Sequence, residues 1–244
     1  MKVYKGKSSH VDSPVLGAVC VSQATLKRSG KVLVSEQGSN LPFGFKGVVA
    51  GESAKVAGAT PTVRLRSNDL GKLVEGDLVV LSPDGCVSVV WDMASENNGI
   101  LPTPSCDCRC IMCPQPPQRH HEDTYRIACE TVEALSPEQV KHLCVTGGEP
   151  TLLGDKFLDL MRNIKKRFNH ASIQLLTNGK GFSDFNLARE FAAIGFSNIV
   201  TCVSLHSDIE EFNDEIAGVR GSFHKTVQGL YNLARMRQRV EIRH

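Results

Sequence analysis

The sequence predicts an α/β fold: a small β-rich domain over residues 1–94, then repeated βα units over residues 95–244. Two observations carry that expectation. Up to about Trp91 the chain is rich in Val, Gly and Ser, with short apolar runs separated by turn residues. After Gly99, short apolar runs alternate with segments whose apolar residues recur at helical spacing. Such alternation implies a parallel sheet with right-handed crossovers, open or curled into a partial barrel.

In the first domain Lys31–Val34, Gly47–Ala50 and Thr62–Leu65 read as strands. Asp77–Leu81 and Cys86–Trp91 flank Ser82-Pro83-Asp84-Gly85, two β-rich runs around a turn, and predict a hairpin. A barrel or sandwich is expected here, and no catalytic motif falls in it. The polar stretch from Asp92 to Asn98 serves as the connection.

In the second domain Ile100-Leu101 opens a short strand leading into a cysteine-rich stretch. Thr124–Leu135 is helical in pattern, and Leu143–Thr146 is a buried strand ending in Gly147-Gly148. Lys156–Phe168 carries Phe157, Leu160, Met161, Ile164 and Phe168, the stripe of a helix packed on a sheet. Ile173–Leu176 is the next strand and about Asp184–Ile194 the next helix. A strand over Ile199–Leu205, a helix over Phe223–Arg237 and a fifth strand starting at Val240 complete the pattern. Ligands of such folds collect at the carboxyl ends of the strands.

Composition narrows the function. Of 244 residues, 41% are hydrophobic and 22% charged, as in ordinary globular proteins. A formal net charge of +2 argues against nucleic acid or an anionic membrane as the main partner. No apolar run is long enough to span a bilayer and the first residues do not resemble a signal peptide, so a cytoplasmic location is expected. The basic runs Lys165–Arg167 and Arg235–Arg239 read as solvated charge complementing helix ends.

Of nine cysteines, Cys106, Cys108, Cys110 and Cys113 lie within eight residues, a crowding that suits a metal site better than disulfides. The other five read as small buried hydrophobes. Cys106, Cys110 and Cys113 have C-x3-C-x2-C spacing. Three thiolates on one irregular loop can hold three irons of a cubane and leave the fourth free for an external ligand. Zinc is the alternative. It usually takes two separated pairs or a Cys/His set, and the neighbouring His120 and His121 read as exposed loop. A second motif, Val145-Thr146-Gly147-Gly148-Glu149-Pro150, ends a strand with glycines that permit close backbone approach and a proline that fixes the exit. A carbonyl edge there can accept hydrogen bonds from an ammonium group.

Taken together, C-x3-C-x2-C after the first strand and Gly147-Gly148-Glu149-Pro150 after the second resemble the radical S-adenosylmethionine (SAM) superfamily. Leu176-Thr177-Asn178-Gly179, Val203–Ser207 and Gly218–Phe223 continue the resemblance through residues 99–244, the last being typical of peptide-modifying members. More narrowly, Cys110–Pro117, Gly147–Gly154 and the first-domain stretch Gly76–Gly85 resemble the C-type maturase of the His-Xaa-Ser system.

The resemblance implies a partial (β/α)6 radical SAM barrel, cut short at the fifth strand. It implies a [4Fe–4S] cluster on Cys106, Cys110 and Cys113, with SAM chelating the open iron. Gly147, Gly148 and Glu149 hold the SAM amino group; Met112, where relatives have an aromatic residue, keeps a main-chain contact near the adenine; Asn178 and Ser204 line the SAM pocket. One electron then cleaves SAM to methionine and a 5′-deoxyadenosyl radical, which takes a hydrogen atom from a peptide or protein substrate. The expected partners are a His-Xaa-Ser repeat protein, a companion radical SAM maturase and an electron donor such as flavodoxin or ferredoxin. Cys108 departs from the pattern, as an incidental thiol or an alternative ligand, and His206 is either a pocket residue or a loop histidine. A truncated, non-catalytic iron–sulfur or zinc module is the competing reading, and a radical SAM enzyme acting on a small molecule or RNA is the third.

Overall fold

The computed structural model of the chain describes residues 2–36, 44–56, 58–118 and 122–244; His120 and His121 lie outside them. The chain divides into two compact units, Met1–Asn98 and Gly99–His244.

The first unit contains β1 (Lys2–Lys5), β2 (Lys7–Ser9), β3 (Val15–Cys20), β4 (Lys31–Ser35), β5 (Gly47–Gly51), β6 (Thr62–Leu65), the short helix α1 (Ser67–Leu70), β7 (Leu78–Leu81) and β8 (Cys86–Trp91). Its sheet runs β1-β8-β7-β3-β4-β5-β6-β2. Only Gly6 separates β1 from β2, so the two edge strands are halves of one bent segment and join the ends of the sheet. Closure of this kind leaves no free edge to pair with another chain. Alternate residues such as Val19, Val32, Val49, Val63, Val79 and Val89 form the apolar core. The expected hairpin is β7–β8, closed by Gly85 N–H donating to Ser82 O at 2.9 Å and bulged between Leu78 and Val79. Strands β3 to β6 pair in parallel, which the short runs alone do not reveal.

The second unit is an α/β structure. It comprises β9 (Gly99–Ile100), α2 (Glu122–Ala134), β10 (His142–Val145), α3 (Asp155–Arg167), β11 (Ser172–Thr177), α4 (Phe185–Ala193), β12 (Ile199–Ser204), α5 (Glu210–Ala217), α6 (Ser222–Arg235) and β13 (Val240–Arg243). The sheet order is β13-β12-β11-β10-β9, and every pairing is parallel. Leu143, Val145, Ile173, Leu175 and Val203 alternate along their strands and are fully buried. The stripe expected on α3 is buried too, and Phe157 stacks on Phe191 at 5.8 Å and meets Phe182 edge-on at 6.3 Å. No helix among the described residues is long and apolar enough to cross a membrane.

Two sequence expectations change here. Lys165 and Arg167 are not simply solvated charge. Lys165 Nζ donates to the carbonyls of Ile194 and Gly195 beyond α4, and Arg167 Nη2 to those of Glu133 and Leu135 at the end of α2. Their charges meet the negative ends of two neighbouring helices. Helix α5, which shows no apolar stripe in the sequence, fills the connection between β12 and α6. Of the scattered cysteines Cys20 and Cys202 are buried as expected, whereas Cys86, Cys129 and Cys144 are half-buried; none is in a disulfide.

Parallel strands bring the carboxyl ends of β9, β10, β11 and β12 to one edge of the sheet. Each of the chemistry-bearing motifs follows one of those ends.

Candidate functional site

The cysteine loop follows β9 and runs back against the end of β10. Gly148 N–H donates to Thr103 O at 2.8 Å and Glu149 N–H to Ser105 O at 2.7 Å. Gly147 has φ +130°, and a Cβ there would stand 2.5 Å from Thr103 O. A Cβ on Gly148 would overlap Ser105 O. The two glycines were expected to admit a ligand; the group that approaches them most closely is the loop itself. Their own carbonyls stay free: among the described residues no hydrogen bond runs to the carbonyl oxygen of Gly147 or Gly148.

Glu149 is 1% exposed. Its Oε1 accepts from Thr151 N at 3.1 Å, Thr151 Oγ1 at 2.6 Å and Thr177 Oγ1 at 2.7 Å, and its Oε2 from Asn178 N at 2.7 Å. Burial pushes the carboxyl above its ordinary value, against the pull of those four donors. The side chain is thus engaged by protein donors, and the part of Glu149 that meets the cysteine loop is its main chain. The carboxylate fastens β10 to the turn after β11.

That turn carries Asn178, whose Nδ2 donates to Asp107 Oδ1 at 2.7 Å and lies 3.5 Å from Cys108 Sγ and 4.0 Å from Cys106 Sγ. Two residues on, Lys180 is 6% exposed and places Nζ 2.9 Å from Asp107 Oδ2 and 3.0 Å from Asp107 O. Burial opposes the ammonium, but the Asp107 hydrogen bond and the Cys108 sulfur outweigh it and hold its pKa above the usual lysine value. From the other side Arg109 N–H donates to Ala217 O at 2.8 Å and Ile111 N–H to Ile216 O at 3.0 Å, so the end of α5 clasps the loop.

Within the loop Cys108 N–H donates to Cys106 Sγ at 3.4 Å, and the neighbouring Cys108 sulfur, with burial, pushes the Cys106 and Cys110 thiols up. Those two neighbouring thiols, with the Lys180 charge, hold the Cys108 thiol well below its ordinary value. Cys108 is 2% exposed and packs beside Ser222 Oγ at 3.9 Å; Cys106, Cys110 and Cys113 are half-buried. Cys113 N–H bonds Cys110 O at 3.0 Å in a tight turn that leaves Ile111 and Met112 exposed. Ser204 ends β12 half-buried, one position beyond the Thr177–Val203 pair and hence beside Asn178 in register. His206 donates its main-chain N–H to Asn213 Oδ1 at 3.0 Å.

Among the described residues no three His, Cys, Asp or Glu side chains stand in a ready metal-holding arrangement. Fit to an iron–sulfur cluster therefore rests on the donor set: three half-buried thiols at C-x3-C-x2-C spacing on one irregular loop, each able to bind a different iron. The free carbonyls of Gly147 and Gly148 suit an ammonium group beside that loop. The residues fit the group. Asp107, Lys180 and the α5 clasp were not anticipated, because a lysine in a turn and an aspartate between cysteines carry no local signal.

Several solved structures align with part of the chain. SuiB of Streptococcus suis bound to S-adenosylmethionine aligns with 19% identity and a TM-score of 0.45, over 59% of this chain and 32% of that one. SuiB bound to its precursor peptide SuiA gives 19% identity and 0.43, over 59% and 31%. Native anSMEcpe with bound AdoMet and Cp18Cys peptide gives 19% and 0.44, over 59% and 41%. The chain thus spans about a third to two fifths of the length of these proteins. No curated protein matches it. The family model described as the radical SAM superfamily matches residues 100–243, more than half of the chain and every strand-end motif described above, and the chain belongs to that superfamily.

Proposed function

We propose that the chain is a radical SAM enzyme acting on a peptide or protein, with Cys106, Cys110 and Cys113 as cluster ligands. The superfamily uses a [4Fe–4S] cluster with S-adenosylmethionine. When bound, that pair supplies one-electron cleavage of SAM to methionine and a 5′-deoxyadenosyl radical. The observation that carries the reading is the direct fastening of the cysteine loop to the Gly147–Glu149 strand end by two main-chain hydrogen bonds. That fastening supports a site in which the loop carrying the thiols lies against the strand end of Gly147 and Gly148, as a ligand with a metal-chelating amino group requires. Asn178 and Ser204, at adjacent strand ends, bound the same edge, and the exposed Met112 offers its main chain to the adenine.

The substrate class rests on sequence: Gly218–Phe223 is typical of peptide-modifying members, and Cys110–Pro117, Gly147–Gly154 and Gly76–Gly85 resemble the C-type maturase of the His-Xaa-Ser system. On this reading the substrate is a His-Xaa-Ser repeat protein. Anaerobic reconstitution with iron and sulfide, followed by absorption spectroscopy and assay of 5′-deoxyadenosine release, tests the activity. A brown protein that releases 5′-deoxyadenosine is expected. A colourless protein holding stoichiometric zinc would overturn the reading.

A further inference from the structure

Lys180 is a buried cation aimed at a part of the cysteine loop that supplies no proposed cluster ligand. Its side chain is 6% exposed, and Nζ reaches both the main-chain oxygen and the carboxylate of Asp107, 73 residues away in sequence. Asp107 is also held by Asn178 Nδ2, which lies 3.5 Å from Cys108 Sγ. Asp107 and Cys108 fall between Cys106 and Cys110. An ammonium secured there sits on the stretch of loop between Cys106 and Cys110, in surroundings where charges are poorly screened. A buried lysine costs free energy unless it is paired, and among the described residues its ion pair is to Asp107 of the loop.

We propose that Lys180 is a positioning residue that sets the reduction potential of the cluster held by Cys106, Cys110 and Cys113; this rests on the function proposed above. Reduction adds one negative charge to a site already rich in thiolate. A fixed cation stabilises the reduced form and raises the potential, while the Asp107 carboxylate opposes it. Asn178 completes the arrangement as a donor toward the loop's sulfurs.

The test is an EPR-monitored redox titration of the reconstituted full chain, with iron content measured in parallel, for the wild type, Lys180→Met, Lys180→Arg and Asp107→Asn. Lys180→Met is expected to lower the potential, by about tenfold in the oxidised-to-reduced ratio at a fixed potential (~59 mV for a one-electron couple). Lys180→Arg keeps the charge and restores most of that shift. Asp107→Asn keeps an oxygen for Asn178, removes the opposing charge and shifts the potential upward. A merely structural lysine would cut iron loading in Lys180→Met and Asp107→Asn alike and leave the potential of the remaining clusters unmoved; that result overturns the proposal. So does a shift of the same sign in both variants. If Lys180→Met takes up no cluster, Lys180→Gln, which keeps a donor for Asp107 and removes the charge, is expected to show the lowered potential, and an unmoved potential there overturns the proposal. Failure of the wild type to take up any cluster is a separate result, visible before the variants, and sinks the proposed function together with this inference.

Discussion

The Glu149 carboxylate accepts the main-chain N–H of Asn178 at 2.7 Å, joining the strand end that faces the cysteine loop to the turn whose side chains grip the same loop. One buried acid thereby sets the spacing of two motifs that lie 28 residues apart. Because Thr151 and Thr177 also donate to it, the edge of the sheet is rigid at the point where the loop docks.

Glu149→Gln tests this staple. The amide NH2 would face either the Asn178 N–H or the three donors on Oε1, leaving at least one buried donor unpaired. The expected loss is about 1–3 kcal/mol, read as a lower urea midpoint at unchanged slope. A variant as stable as the wild type would show that the carboxylate is not needed there.

The same residue predicts a pH dependence. Burial raises the folded-state value above the ordinary 4.5, so the folded chain keeps this proton to higher pH than the unfolded chain does. The folded state binds more protons in that window, and the group's contribution to stability falls as pH rises from 4.5 through the folded value. The stability gap between wild type and Glu149→Gln should therefore be widest in acid and narrow toward neutrality. A gap that widens with rising pH would contradict the assignment.

Gly148→Ala places a methyl group on Ser105 O and 2.9 Å from the Pro104 carbonyl carbon. The loop must retreat, because backbone on both sides has no flexible end to yield. We expect a cost of about 1–3 kcal/mol together with reduced iron uptake after reconstitution. Full uptake in this variant would mean that the loop's docking does not matter to the thiols.

Cys106→Ala, Cys110→Ala and Cys113→Ala should each abolish the cluster, whereas Cys108→Ala should retain it. Cys108 is turned inward against Ser222 and is 2% exposed, so its loss removes packing at a cost of about 1 kcal/mol and no iron ligand. Iron content and visible absorption after anaerobic reconstitution distinguish the four. An empty Cys108→Ala with an intact fold would make Cys108 a ligand.

Phe157 is fully buried between Phe182 and Phe191, and Phe182 lies in the turn that begins at Lys180. Phe157→Ala is expected to cost about 3–5 kcal/mol, measured by denaturant unfolding. Phe157→Leu, which keeps most of the volume, should cost well under half of that.

Much of this was readable from the chain. The stripe of Phe157, Leu160, Met161 and Ile164 names helix α3 because burial against a sheet repeats at helical spacing. The run at Ile199 names a strand because β-branched residues cluster in it, and the run at Ile173 because it is short, apolar and followed by Asn178-Gly179. Helix α5 was not readable. Of its residues only Asn213 and Ala217 are buried and Phe212 is 55% exposed, so no apolar stripe marks it. The parallel pairing of β3 to β6 was hidden for a related reason, since alternation shows which side chains are buried but not which strand lies alongside.

The spacing of Cys106, Cys110 and Cys113, and the order in which strand-end motifs follow one another, are covalent facts. They place three sulfurs on one loop and name the superfamily without reference to packing. Which side chains serve those sulfurs is another matter. That Glu149 spends its carboxylate on Thr151, Thr177 and Asn178, and that Lys180 meets Asp107, arises only when β10 and β11 pair and the loop closes over their ends. Contacts between residues 28 and 73 positions apart have no local period, and a buried charge becomes visible only once the fold has removed the water around it.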